Sequence, residues 1–446
     1  MSLIFLLSFI ASAQKSYTIK GHFPQAGNKE IELWGFEALK DSLLSKTMCD
    51  AKGKYVLSYS GGYIGTAVLK VKDGASLTVL LNKENFVIDW SDFEDLGSLH
   101  FKNSAENTAF SKAMMTYKMS KEILNGLEYL KPLYASSASK QQWINKEIEV
   151  QEHVFLGFID SLPKSSFVAY YLSLGRLVQD MANAANRDPA WIAKNENDFK
   201  AIDFADERLL HTGLIKDLIS GFYQMLESYG DRDKVNEHAN KATDVLLKNT
   251  DAHPELKKEI ALYLYKKLEE RSLFKPAEFL ALKMLGDNTC MLDAKSAALY
   301  GLYEKMAGGK TAPEIQLSPN NTKGFSTVGE IKNKYKLVVF GASWCGKCQV
   351  DIPDLKKYYS QWQDKYDVEI VFVSVDTDPV AYVGFVQDFP WVSSCDFKGW
   401  DTKAAMDYGV FLTPTMYLLD TNNVILLKPF NAAHADDWFV TNDSTR

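Results

Sequence analysis

Two apolar runs, "KLVVFGAS" from Lys336 and "VEIVFVSVD" from Val368, flank a polar stretch with helical spacing, "CQVDIPDLKKYYSQWQDKY". Neither run alternates polar with apolar residues, so each reads as a strand buried on both faces. A second helical stretch follows, "DPVAYVGFVQDF", with Pro379 in its first turn behind Asp378. "TMYLLD" and "VILLKPF", joined by Thr421-Asn422-Asn423, then form a hairpin. A βαβ unit feeding a β-hairpin is a small α/β sheet domain. No other feature of the chain restricts its fold as strongly.

The 446 residues are enough for about three domains at ~150 residues each. From Tyr17 to Trp90 the pattern is short and strand-like, as in "KEIELWGF" and "KYVLSYS", with turn signals at Gly27-Asn28, Lys52-Gly53 and Asp73-Gly74. This predicts an antiparallel β sandwich-like domain over 14–103. At Ser104 the period changes. "SAENTAFSKAMMTYKMSKEIL" opens on an N-cap serine with Glu106 in the first turn. In "EIALYLYKKLEE", Ile260, Ala261, Leu264, Tyr265 and Leu268 share one face. A helical region over 104–307 is expected. The stretch from Ala307 to Glu330, with Gly308-Gly309 and two prolines, separates it from the α/β domain at 308–446.

A formal charge of −7, with no block of Lys and Arg, argues against nucleic acid or an anionic membrane as the main partner. The run Leu3–Ile10 leads into Ala11-Ser12-Ala13, which has the form of a signal peptide ending at residue 13. It is far short of the ~20 residues of a spanning helix. No Lys or Arg precedes it, which departs from the pattern. Export places the thiols where disulfides persist.

The cysteines are Cys49, Cys290, Cys345, Cys348 and Cys395, an odd and sparse set unlike a disulfide scaffold. "WCGKC" pairs two of them, and CxxC alone suits a redox centre, half a zinc site or a structural disulfide. Zinc needs four ligands, and this domain adds only Cys395 and His434. A disulfide closing so short a loop constrains the unfolded chain little. A helix N-terminus, by contrast, carries unpaired N–H groups and about half a positive charge, which favours a thiolate. Cys345 then reads as the attacking thiol and Cys348 as the resolving one, with Lys347 adding a favourable charge. No cofactor or metal is needed. Cys49, Cys290 and Cys395 read as buried core thiols.

From about Ala312 to Phe430 the chain resembles the thioredoxin fold of TlpA/ResA-like thiol–disulfide oxidoreductases. "APEIQL", "VVFGASWCGKC", Asp351, Pro353, "VFVSVD" and "YGVFLTPTMYLLD" carry the resemblance. It implies a cis-proline at Pro414 facing the cysteines, with the Thr413 backbone pairing to an extended substrate segment. Trp344 matches the tryptophan that covers the first cysteine. Pro353 falls inside the active-site helix, where proline forces a kink.

Val339 stands where thioredoxin itself has a buried aspartate. Asp351 matches the acidic residue after the motif, either a proton relay for Cys348 or a carboxylate favoured by the helix dipole. Asp376 has a family match near the site and otherwise reads as a turn or cap residue before Pro379. The tail after Phe430 reads as a poor helix, where the fold normally closes with one. The resemblance further implies protein thiol or disulfide substrates and electrons from a membrane thiol transporter of the DsbD type. A Gram-negative cell envelope is the expected location. The rival expectation is a partner-binding or scaffold protein with an inert thioredoxin-like domain.

Overall fold

The computed structural model describes residues 15–182, 189–287 and 294–442. The signal-peptide segment and Cys290 lie outside them. The described chain divides into two compact units. One runs to Val235 and takes up Val245–Ile260, and the other holds Asn236–Asp244 and the chain from Ala261.

The first unit opens with strands β1 (Ser16–His22), β2 (Glu30–Glu37), β3 (Lys40–Met48) and β4 (Lys54–Ser60). β5 (Ile64–Val71), β6 (Ser76–Asn82), β7 (Phe86–Trp90) and β8 (Leu99–Lys102) follow. They form two four-stranded sheets, ordered β4-β1-β7-β8 and β3-β2-β5-β6. Alternation does its usual work here: Tyr55, Leu57 and Tyr59 of β4 point inward and join Leu33, Leu69 and Val79 of the other sheet in one core. The expected all-antiparallel pairing needs correction, because β1 runs parallel to β7, with Ile19 opposite Phe86. Five strands intervene between them, so the chain returns to β1 from the same end. Hairpin reasoning, which joins neighbours in sequence, cannot anticipate that.

The helices that follow are α1 (Ala105–Leu133), α2 (Ala138–Ser161), α3 (Phe167–Ala182), α4 (Pro189–Lys200) and α5 (Glu207–Leu210). Next come α6 (Ile215–Leu226), α7 (Arg232–Asn249), α8 (Pro254–Glu270), α9 (Phe274–Asp287) and α10 (Ala294–Lys305). Ser104 caps α1 by accepting from the Asn107 N–H. The buried Glu106 carboxylate accepts the N–H groups of Phe167 and Val168 at 3.0 and 2.7 Å, which satisfies the first turn of α3.

In the second unit lie β9 (Tyr335–Gly341), α11 (Cys348–Asp354), α12 (Lys356–Tyr366), β10 (Val368–Ser374) and α13 (Pro379–Val386). β11 (Val392–Cys395), α14 (Lys403–Asp407), β12 (Thr415–Asp420), β13 (Ile425–Leu427) and α15 (Ala432–Asn442) complete it. The sheet order is β11-β10-β9-β12-β13, with β9, β10 and β11 parallel and β12 and β13 antiparallel. Every residue of β9 and β10 is buried. Leu337, Val339, Ile370 and Phe372 face Ile352, Trp362 and Phe439 on one side, and Val338, Phe340, Val371 and Val373 face Ile315, Val328 and Tyr408 on the other.

α15 corrects the expectation of a poor terminal helix. Its intrinsic propensity is modest, but Phe439 is 0% exposed and stacks on Tyr366 at 5.2 Å. The Trp362 indole N–H donates to Asp436 at 2.8 Å. Tertiary burial, more than propensity, makes this helix.

A candidate redox site at the end of the parallel strands

β9 ends at Gly341, and the chain turns through Ala342–Lys347 before α11 begins at Cys348. Close approach dictates the glycine. A Cβ on Gly341 would lie 2.5 Å from Ile352 Cδ1 and 2.8 Å from Phe372, so a side chain there would push α11 off the sheet. Pro353 acts as expected: the helical run divides into α11 and α12 beside it.

Cys345 lies ahead of α11, and its sulfur does what an N-cap oxygen does, accepting the Cys348 backbone N–H at 3.2 Å. On its other side the thiol donates to the Thr413 carbonyl at 3.3 Å. The Thr413–Pro414 peptide is cis and opens β12 at Thr415. Residues 68 apart in sequence thus meet at one sulfur.

Burial disfavours the Cys345 thiolate, but hydrogen bonds from the Cys348 thiol, the Thr413 side chain, and the Cys348 and Lys347 backbones outweigh it and lower the pKa. Cys348 is fully buried, and burial, followed by its bond to Cys345, pushes its pKa up to about 12. One thiol is poised to ionise and the other is held protonated. A single alkylation step, on Cys345, is therefore expected across neutral pH. Its rate should rise through a midpoint below the free-thiol value of ~8.5 as the thiolate forms. A midpoint at or above that value would contradict the assignment.

The Lys347 ammonium lies 3.8 Å from Asp351, one helical turn on, and the Lys347 backbone also favours the Cys345 thiolate. Asp351 is half-buried, and burial, partly offset by Lys347, raises its carboxyl pKa. Trp344 is 56% exposed, with its ring edge-on to Trp400 at 6.2 Å. Val339 is buried in the apolar cluster that holds Cys348. Cys49 and Cys395 are buried free thiols.

Asp376 is neither a turn nor a cap residue, since Asp378 caps α13. Its carboxylate is buried and accepts the Ser343 N–H at 3.0 and 3.2 Å, the Ser343 hydroxyl at 2.7 Å and the Ser374 hydroxyl at 2.6 Å. Ser343, Ser374 and Gln349 were not singled out from sequence. An acid closing an otherwise apolar strand was the available signal, because such a group must find buried donors.

The family model described as thioredoxin-like matches residues 333–425. The thioredoxin-like protein YneN of Bacillus subtilis is 30% identical over 134 residues, covering 28% of this chain and 76% of its own. The thiol-disulfide oxidoreductase ResA of Bacillus cereus is 29% identical over 127 residues, covering 28% and 70%. The thiol:disulfide interchange protein HelX of Rhodobacter capsulatus is 31% identical over 123 residues, covering 27% and 66%. A crystal structure of the thioredoxin domain of a thiol-disulfide oxidoreductase from Bacteroides vulgatus is 26% identical, with TM-score 0.28, covering 30% of this chain and 99% of its own. Matched at 30% identity over 76% of YneN, the chain belongs, through its C-terminal α/β fold, to the TlpA/ResA-like thiol–disulfide oxidoreductases of the thioredoxin superfamily.

Proposed function

We propose that this chain reduces protein disulfides through a Cys345/Cys348 couple. The observation that carries the reading is the Cys345 sulfur held between the Cys348 N–H and the Thr413 carbonyl, beside a partner thiol that stays protonated. The Cys345 thiolate attacks one sulfur of a substrate disulfide, and the other substrate sulfur leaves as a thiolate and takes a proton. Cys348 then loses its proton and attacks Cys345. That closes the Cys345–Cys348 disulfide and releases the second substrate thiol. The substrate is reduced by two electrons and the couple is oxidised by two. A membrane thiol transporter of the DsbD type would return them. The exposed Trp344 and the backbone of Thr413 beside Pro414 would receive an extended substrate segment.

On this reading residues 14–103 and 104–307 are β-rich and helical domains ahead of a redox domain at 308–446. The chain is exported to a Gram-negative cell envelope, as the Leu3–Ile10 run suggests. Reduction of insulin with dithiothreitol tests the activity. Wild type should accelerate precipitation and Cys345→Ser should not. Equal rates for the two would favour the scaffold alternative.

Asp351 is proposed to take the Cys348 proton, a role that suits a carboxylate whose pKa burial raises. Asp351→Asn should then slow resolution of the mixed disulfide about 100-fold or more, the span of a lost general base. The first attack by Cys345 should change little. Rapid-quench kinetics separate the steps, and equal effects on both would leave Asp351 only its place in the helix dipole.

A further inference from the structure

β9 and β10 end side by side, with Gly341 opposite Ser374, and the Val375 N–H extends the pairing to the Gly341 carbonyl at 2.9 Å. Beyond that point the two chains part. One becomes the redox loop and the other carries Asp376, which is 0% exposed. Three donors meet its carboxylate, two of them from Ser343. A fully buried carboxyl group depends on such partners, so the three donors make a firm attachment. The Ser343 carbonyl is held as well, accepting the Gln349 side-chain amide at 2.7 Å. Ser343 is thus clamped from β10 on one side and from α11 on the other. Cys345 follows two residues later, its own N–H turned back to the Ala342 carbonyl at 3.3 Å.

We propose that Asp376 is a positioning residue of the redox site, acting through Ser343 to keep the Cys345 sulfur between the Cys348 N–H and the Thr413 carbonyl. Neither hydrogen bond to that sulfur tolerates much drift, since each weakens steeply with distance and angle. The titratable groups around the loop include Lys347 and Asp351, paired with each other where α11 begins, and Tyr382 of α13, whose buried phenol stays neutral. From β11 the Cys395 thiol donates to the Asp376 carbonyl at 3.5 Å.

The inference rests on Cys345 being the attacking thiol, and its test is read on that thiol without substrate. The alkylation midpoint of Cys345 is measured in the reduced full chain for wild type, Asp376→Asn, Ser343→Ala and the double variant. Asp376→Asn should raise the midpoint by about one pH unit, a tenfold loss of thiolate at a fixed lower pH. Ser343→Ala should move it the same way by less, because the Ser343 N–H remains. The double variant should move it no further than Asp376→Asn, since both changes release one clamp.

An unchanged midpoint with lowered thermal stability would reduce Asp376 to a purely structural role. A downward shift would show that it acts as a nearby negative charge. Should Asp376→Asn fail to fold, Ser343→Ala decides alone, and an unchanged midpoint overturns the proposal. Failure of insulin reduction with the midpoint shifts intact would instead defeat the functional reading only.

Discussion

Cys348→Ser is expected to accumulate a mixed disulfide through Cys345 when it meets oxidised substrate, whereas Cys345→Ser should accumulate none and should fail to reduce insulin. The asymmetry follows from the site. The Cys345 sulfur is partly accessible and its thiolate is stabilised by the Cys348 N–H, while Cys348 is buried and held protonated to about 12. Attack requires both access and ionisation, and only Cys345 has the two together. Without Cys348 the adduct has no resolving thiol at hand: Cys395 is buried, and its thiol is turned to the Asp376 carbonyl. Non-reducing gels followed by peptide mass mapping read the result. Adducts confined to Cys348 or Cys395 would reverse the assigned roles.

Phe439→Ala costs about 3–5 kcal/mol of stability in the C-terminal fold, the usual range for truncating a buried aromatic. Phe439 is surrounded by rings, stacked on Tyr366 and tilted against Trp362 and Tyr335 at 5.3 and 5.4 Å. Its removal leaves a cavity between α12, α15 and the sheet, and α15 has little propensity of its own to hold it in place. Urea denaturation followed by tryptophan fluorescence should show the loss, since Trp362 and Trp391 are buried in the same cluster. An unchanged midpoint would mean that α15 does not close the fold.

What was legible in the sequence was local. Continuous apolar runs mark β9 and β10 because parallel strands are buried on both faces, and one-sided spacing marks α8, whose Ile260, Leu264, Tyr265 and Leu268 are fully buried. The CxxC pair announces itself by residue type, whereas Pro414 is implied only by the family resemblance. What was missed depends on distant partners or on side-chain direction. Asp376 and Ser343 meet across 33 residues, so neither alone reveals the clamp. Phe439 is ordered by rings contributed from β9 and α12. The parallel β1–β7 pair joins strands separated by five others. Lys347 sits beside Cys345 in sequence, yet its rotamer takes the ammonium to Asp351.

The most direct measurement is a redox titration of the full chain in defined thiol–disulfide buffers, with the cysteines alkylated and mapped at each step. Cys345 and Cys348 should lose reactivity together in a single two-electron transition. Its midpoint should lie between about −270 and −120 mV, the span of thioredoxin-like couples. Cys49 and Cys395 should stay as thiols throughout. Cys345 and Cys348 remaining separately alkylatable across that range, or a disulfide formed with Cys395 instead, would contradict the account.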